Sequence, residues 1–106
     1  MLHTRGFKTP LHLADHFLLH GFRLGVATEI DYLELADQLF DPRASGRVRQ
    51  FVRPWNRDVV RYDEAADIFG VLDRHGYIKT CYRPDPGVHR EPSNLDYYLS
   101  ELDETL

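Results

Sequence analysis

The hydrophobic period changes after Gly46, and that change decides the class of fold. After it come four short runs rich in β-branched and aromatic residues: VRQFVR (48–53), DVVRY (58–62), DIFGVLD (67–73) and YIKTCY (77–82). Runs of this length and composition are strands. DEAAD (63–67) and DRHG (73–76) read as the turns between them. Before Gly46 the spacing is helical. Thr9-Pro10 is a helix start, with Thr as cap and Pro at the first helical position. That helix runs to His20, with Gly21 as its stop. A second helix starts at Thr28, carries Glu29 and Asp31 in its first turn, and repeats Ile30, Leu33, Ala36, Leu39 and Phe40 at helical spacing. Asp41-Pro42 ends it, and RASG (43–46) reads as a loop. The proline-rich RPDPGVHREPSN (83–94) reads as a surface loop, and Asn94 as the cap of a short last helix, LDYYLSEL. Two helices, a meander of about four antiparallel strands and a C-terminal helix make an α+β fold.

The 106 residues suffice for one domain, 1–106. A single cysteine, Cys81, excludes an internal disulfide and a Cys-based zinc site. No apolar run approaches the roughly 20 residues that span a membrane, so no membrane partner is expected. MLHTRGFK at the N-terminus lacks an apolar signal core, although the chain could be cut from something exported.

Charge is segregated. Arg43, Arg47, Arg49, Arg53, Arg57 and Arg61 fall in a stretch with one acid, Asp58, a local +5 in a chain of formal net charge −4, which leaves −9 elsewhere. Such a stretch is a candidate footprint for a polyanion, or a solvated segment balanced by acidic helices. Phe51 and Trp55 interleave with these arginines and could stack on bases, or pack in the core.

His12, His16 and His20 recur every four residues in the first helix. On a helical wheel Leu11, Leu13, Ala14, Phe17 and Leu18 form the core stripe, and the histidines lie off it. His16 points most nearly away, while His20 sits at the stripe's edge. Paired histidines at this spacing bind zinc in one metalloprotease motif, but Phe17 follows His16 where that motif has Glu, so no metal is expected. A solvated face and a single functional histidine are the other readings.

If DEAAD and DRHG set the hairpin registers, Arg61 faces Phe69 and Phe69 faces Thr80. Arg61, Thr80 and Tyr82 would then share one sheet face, beside an apolar row of Val59, Val71 and Ile78. Guanidinium, hydroxyl and phenol are groups that hold a phosphate. A histidine beside them, titrating near neutrality, completes the parts for metal-free RNA cleavage: base, phosphate stabiliser and donor to the leaving oxygen. A one-residue slip would turn Arg61 to the other side.

The spaced pattern HFLLHG…ATEIDYLELADQLF…RDVVRYDEAADIFGVLDRHGYIKTCYRPDP resembles the small ribonuclease domains of bacterial polymorphic toxins. These belong to the barnase/EndoU/colicin/RelE-type superfamily, seen at the C-terminal tips of contact-dependent inhibition proteins and in phage-encoded relatives. The resemblance spans about His12 to Tyr98. It implies a metal-independent endoribonuclease without cofactor, acting on RNA, often tRNA, in the cytoplasm, and delivered in some cases as part of a larger secreted toxin. It also implies a cognate immunity or antitoxin protein. By motif, His20 or His16 matches the helix histidine, Arg61 the strand arginine, and Thr80 and Tyr82 the T-x-Y pair. Leu19 stands where the family helix often has lysine, so Lys79 or Arg83 would compensate. Arg47, Arg49, Arg53 and Arg57 would track the RNA backbone. An immunity protein would be acidic at its contact and cover Arg61 or the arginine strip. A binding module without catalysis, for RNA or protein, using the same strip, is the alternative function.

Overall fold

A computed structural model describes residues 1–44 and 46–106. Its elements are helix α1 (Pro10–His20), helix α2 (Glu29–Leu39), strands β1 (Arg49–Val52), β2 (Val59–Asp63), β3 (Ile68–Leu72) and β4 (Ile78–Tyr82), a one-turn helix α3 (Pro86–His89), and helix α4 (Asn94–Asp103). The strands form one antiparallel meander in the order β1-β2-β3-β4. The fold is α+β, as the change of period implies.

The helix starts follow local chemistry. Thr9 Oγ1 accepts from the His12 amide and Thr28 Oγ1 from the Asp31 amide, each closing an otherwise open first turn. Some boundaries differ from expectation. α1 does end at His20 with Gly21 as its C-cap, but this glycine keeps a helical φ of −60° and donates to the Phe17 carbonyl. A Cβ there would lie 2.7 Å from the Phe17 ring, so close packing is what demands glycine. The chain leaves this turn through Gly25, at φ +74°. Ser93, not Asn94, caps α4. The loop read over 83–94 contains α3, capped by Asp85. Of the loop read over 43–46, Ser45 lies outside the described residues, and Pro42–Ala44 form a 3-10 turn.

The two sheet faces carry separate apolar clusters. α2 and its C-cap residue Phe40 lay Tyr32, Ala36, Leu39 and the Phe40 ring on Ile68, Ile78 and Cys81. The Tyr32 hydroxyl, buried, donates to the Cys81 carbonyl at 2.6 Å. On the opposite face α4 packs Tyr98 against Phe51, Val60, Tyr62, Phe69 and Val71. The N-terminal segment runs beside the free edge of β4, where Phe7 bridges Ile78 in parallel and the Gly6 carbonyl accepts from the Ile78 amide at 2.8 Å. Asp37, buried in α2, holds that segment by accepting from the His3 and Thr4 amides, both at 2.9 Å.

The registers correct the expected row. Asp63 pairs with Ile68, so the β2–β3 connection has four residues where DEAAD implied five, and Arg61 faces Gly70 instead of Phe69. Phe69 faces Tyr82, and Val71 faces Thr80. Arg61, Gly70 and Cys81 thus form a row under α2, whereas Thr80 and Tyr82 point to the α4 face. Val59 pairs with Leu72 and Leu72 with Ile78, so Val71 is absent from that apolar row as well. A bulge beside Leu72 leaves Lys79 as an extra residue in β4.

Candidate functional site

The orientation of α1 also departs from the wheel. Leu11 and Leu18 are exposed, and the inward side is formed by Leu13 and Phe17 together with the histidines. The cause is Phe7. Its ring, held beside β4, meets His12 edge-on at 5.4 Å and His16 at 5.7 Å, so the helix turns its imidazoles towards the sheet edge. His16, expected to point away, has its Nδ1 3.2 Å from Thr80 Oγ1 and its Nε2 2.9 Å from His12 Nε2. His20 lies half-buried over the Tyr82 ring at 5.2 Å.

Four of the five expected catalytic side chains therefore converge: His16, His20, Thr80 and Tyr82. Arg61 does not join them. It is 7% exposed, and its Nη1 donates to the Leu39 and Asp41 carbonyls at 3.0 and 2.9 Å. Its Nε donates to Gln50 Oε1 at 2.7 Å. Arg61 closes the C-terminal end of α2, where carbonyls lack helical partners. Nor can a partner protein cover so buried a side chain.

Tyr97 and His89, which the pattern did not single out, join the cluster. Tyr97 of α4 places its hydroxyl 2.7 Å from that of Tyr82. Only one phenol proton can lie between the two oxygens, so the pair keeps one O–H free to donate. Behind Tyr97 stacks His89, at 4.6 Å and 22°. Beside them Asp58, 2% exposed, gathers two cations, Lys79 Nζ at 2.8 Å and Arg53 Nη1 at 3.4 Å, and accepts from the Asn56 side-chain amide at 3.0 Å. The bulge in β4 sends Lys79 there. Arg53 also reaches Glu101 of α4 at 3.5 Å, and both phenols feel the opposing charges of Glu101 and Arg53.

The electrostatics suit donors and a neutral base. Burial, then the neighbouring His12 and His20, push His16 down to about 4. Burial lowers His20 as well, so the imidazoles favour the neutral form. Tyr82 is pushed up by burial and by its bond to Tyr97, and burial does the same to Tyr97; both phenols keep their protons near neutrality. Among the described residues, no three His, Cys, Asp or Glu side chains assemble as a metal-binding group.

The basic strip looks different in space. Arg47 pairs with Asp63 at 3.0 Å, Arg49 with Glu64 at 3.2 Å and Arg43 with Asp41 at 2.8 Å. Arg83 spends its guanidinium on the backbone carbonyls of Arg23, Ala66 and Asp67. Arg57, at φ +65°, has no ion-pair partner among the described residues. The charge segregated in sequence is thus largely matched by acids at the ends of α2 and β2, in the β2–β3 turn and on α4. Phe51 is core against Tyr98, while Trp55 stands 59% exposed.

Neither a protein-family model nor a curated protein matches the chain.

Proposed function

We propose that the chain is a metal-independent endoribonuclease of the toxin type, and that its site lies where α1, β4 and α4 meet. The observation that carries this reading is the convergence of neutral imidazoles and hydroxyl donors: His16 on Thr80, and His20 on the Tyr82–Tyr97 pair, with Lys79 and Arg53 alongside. In RNA the 2′-hydroxyl attacks the adjacent phosphorus and the 5′-oxygen leaves. His20 takes the 2′-hydroxyl proton, a role open to a neutral imidazole. The free proton of the phenol pair passes to the leaving 5′-oxygen, since an alkoxide is a stronger base than a phenolate. The imidazolium of His20 then returns a proton to the phenolate, which restores both groups. Thr80, oriented by His16, donates to a phosphate oxygen. Lys79 and Arg53 take the phosphate-stabilising place that the motif assigned to Arg61.

Used inside bacteria, such a chain needs an immunity protein. An acidic surface over Lys79, Arg57 and the mouth of the site would hold it; tRNA is the target class implied by the resemblance. The test is incubation of the purified chain with total RNA in excess chelator. Cleavage that persists in chelator and falls about 10²-fold in His20→Ala supports the reading. Binding of RNA with no cleavage refutes it and favours a binding module.

A further inference from the structure

Next to His20 and Tyr82 a cavity of about 360 Å³ opens between the end of α1 and α3. This is within the size range of small-molecule sites, and it is walled mainly by apolar and aromatic groups. His20 and Tyr82, ring against ring, form one side, and Tyr97 and His89, stacked, form the other. Leu19 and Val88 border it with 71% and 77% of their surface exposed, so two large apolar side chains stand in water where a flat ligand would cover them. At its rim Arg23 Nη1 and Asp85 Oδ2 are paired at 2.9 Å, both roughly half exposed, offering donors and an acceptor side by side. The walls are fixed. Asn94 receives or gives hydrogen bonds to His89, Asp67 and the Pro84 carbonyl, and Arg83 ties the turn after α1 to the β2–β3 turn.

We propose that this cavity receives one nucleobase, that of the nucleotide whose phosphate lies at His20 and Tyr82, and that the Arg23–Asp85 pair reads its edge. The proposal rests on the nuclease reading for the position of the phosphate. Bases suit the site because each has an apolar, stackable face and an edge of alternating donors and acceptors. A carboxylate accepts from a base N–H or NH₂, and a guanidinium donates to a ring nitrogen or carbonyl. The chain would then cleave after a preferred base.

The test is equilibrium binding of the four 3′-nucleoside monophosphates to the intact chain and to Asp85→Asn. Asparagine caps helices as well as aspartate does, so α3 stays closed in the variant. The expected result is a spread of about tenfold or more between the best and worst nucleotide, reduced below about threefold in Asp85→Asn. Equal affinity for all four, no binding of any, or a spread that survives Asp85→Asn overturns the proposal. Its failure is separable from that of the nuclease reading. Chelator-resistant cleavage without base preference sinks the pocket alone. Base-selective binding without cleavage sinks the nuclease alone.

Discussion

Arg61→Met separates a structural arginine from a catalytic one. The substitution keeps much of the side-chain volume and removes the guanidinium. Two carbonyls at the end of α2, those of Leu39 and Asp41, lose their donor. Gln50 is exposed, so its amide returns to water at little cost. Leaving a buried acceptor unpaired costs about 1–3 kcal/mol, and the Asp41 carbonyl, nearer to solvent, sits at the low end. The guanidinium also lies 5.9 Å from the Phe40 ring centroid, a contact of about 0.5 kcal/mol at this distance. Against this, burial lowers the Arg61 pKa, a sign that its charge is costly to keep there, and its removal returns part of the loss. The net expectation is about 2–3 kcal/mol of destabilisation, read from urea unfolding at constant m-value. Cleavage per folded molecule should stay within a few-fold of wild type. Stability within about 0.5 kcal/mol of wild type, together with about a 10²-fold loss of rate, would return Arg61 to the site.

Three further outcomes are expected. His16 titrates near 4 in the fold but near 6.5 when unfolded, so between those values only the unfolded chain binds the proton and stability falls as pH falls. The full depression corresponds to about 3 kcal/mol, and solvent screening of this half-buried ring reduces it to about 1–2 kcal/mol; the unfolding free energy of wild type relative to His16→Gln should drop by that amount from pH 7 to 4.5, and parallel curves would contradict it. Gly70→Ala places a Cβ 2.6 Å from Leu39 Cδ2 and should cost about 1–3 kcal/mol in the same assay, through displacement of α2. Tyr82→Phe removes one member of the phenol pair and should lower cleavage at least about tenfold with near-normal thermal unfolding, whereas an unchanged rate would exclude Tyr82 as the donor.

The strand runs, both N-terminal helix starts and the meander were legible because each rests on local chemistry: β-branched runs, threonine caps, turn residues. So was the shared face of Thr80 and Tyr82, which depends only on alternation within one strand. The side of Arg61 was not legible. It hangs on one residue of turn length, and Asp63 can join either the turn or β2 without any change in composition. The histidine face was misplaced for a related reason. A helical wheel ranks residues by polarity, but α1 packs beside a sheet edge that is already covered by Phe7, an aromatic ring that accepts imidazoles. Tyr97 carried no signal that distinguished it from Tyr98, its neighbour in α4, which is core. The pairing of Arg47 and Arg49 with Asp63 and Glu64 required the β1–β2 register, which brings the far end of β2 alongside β1.

The product ends carry the signature of the reaction. Attack by the 2′-hydroxyl, with His20 as base and no metal, must leave a 2′,3′-cyclic phosphate on one fragment and a free 5′-hydroxyl on the other. A defined RNA cleaved in excess chelator, with the fragments analysed by mass, should show those ends in wild type and about 10²-fold less of them in His20→Ala. Fragments ending in 3′-hydroxyl and 5′-phosphate, or an intact RNA, would contradict the account.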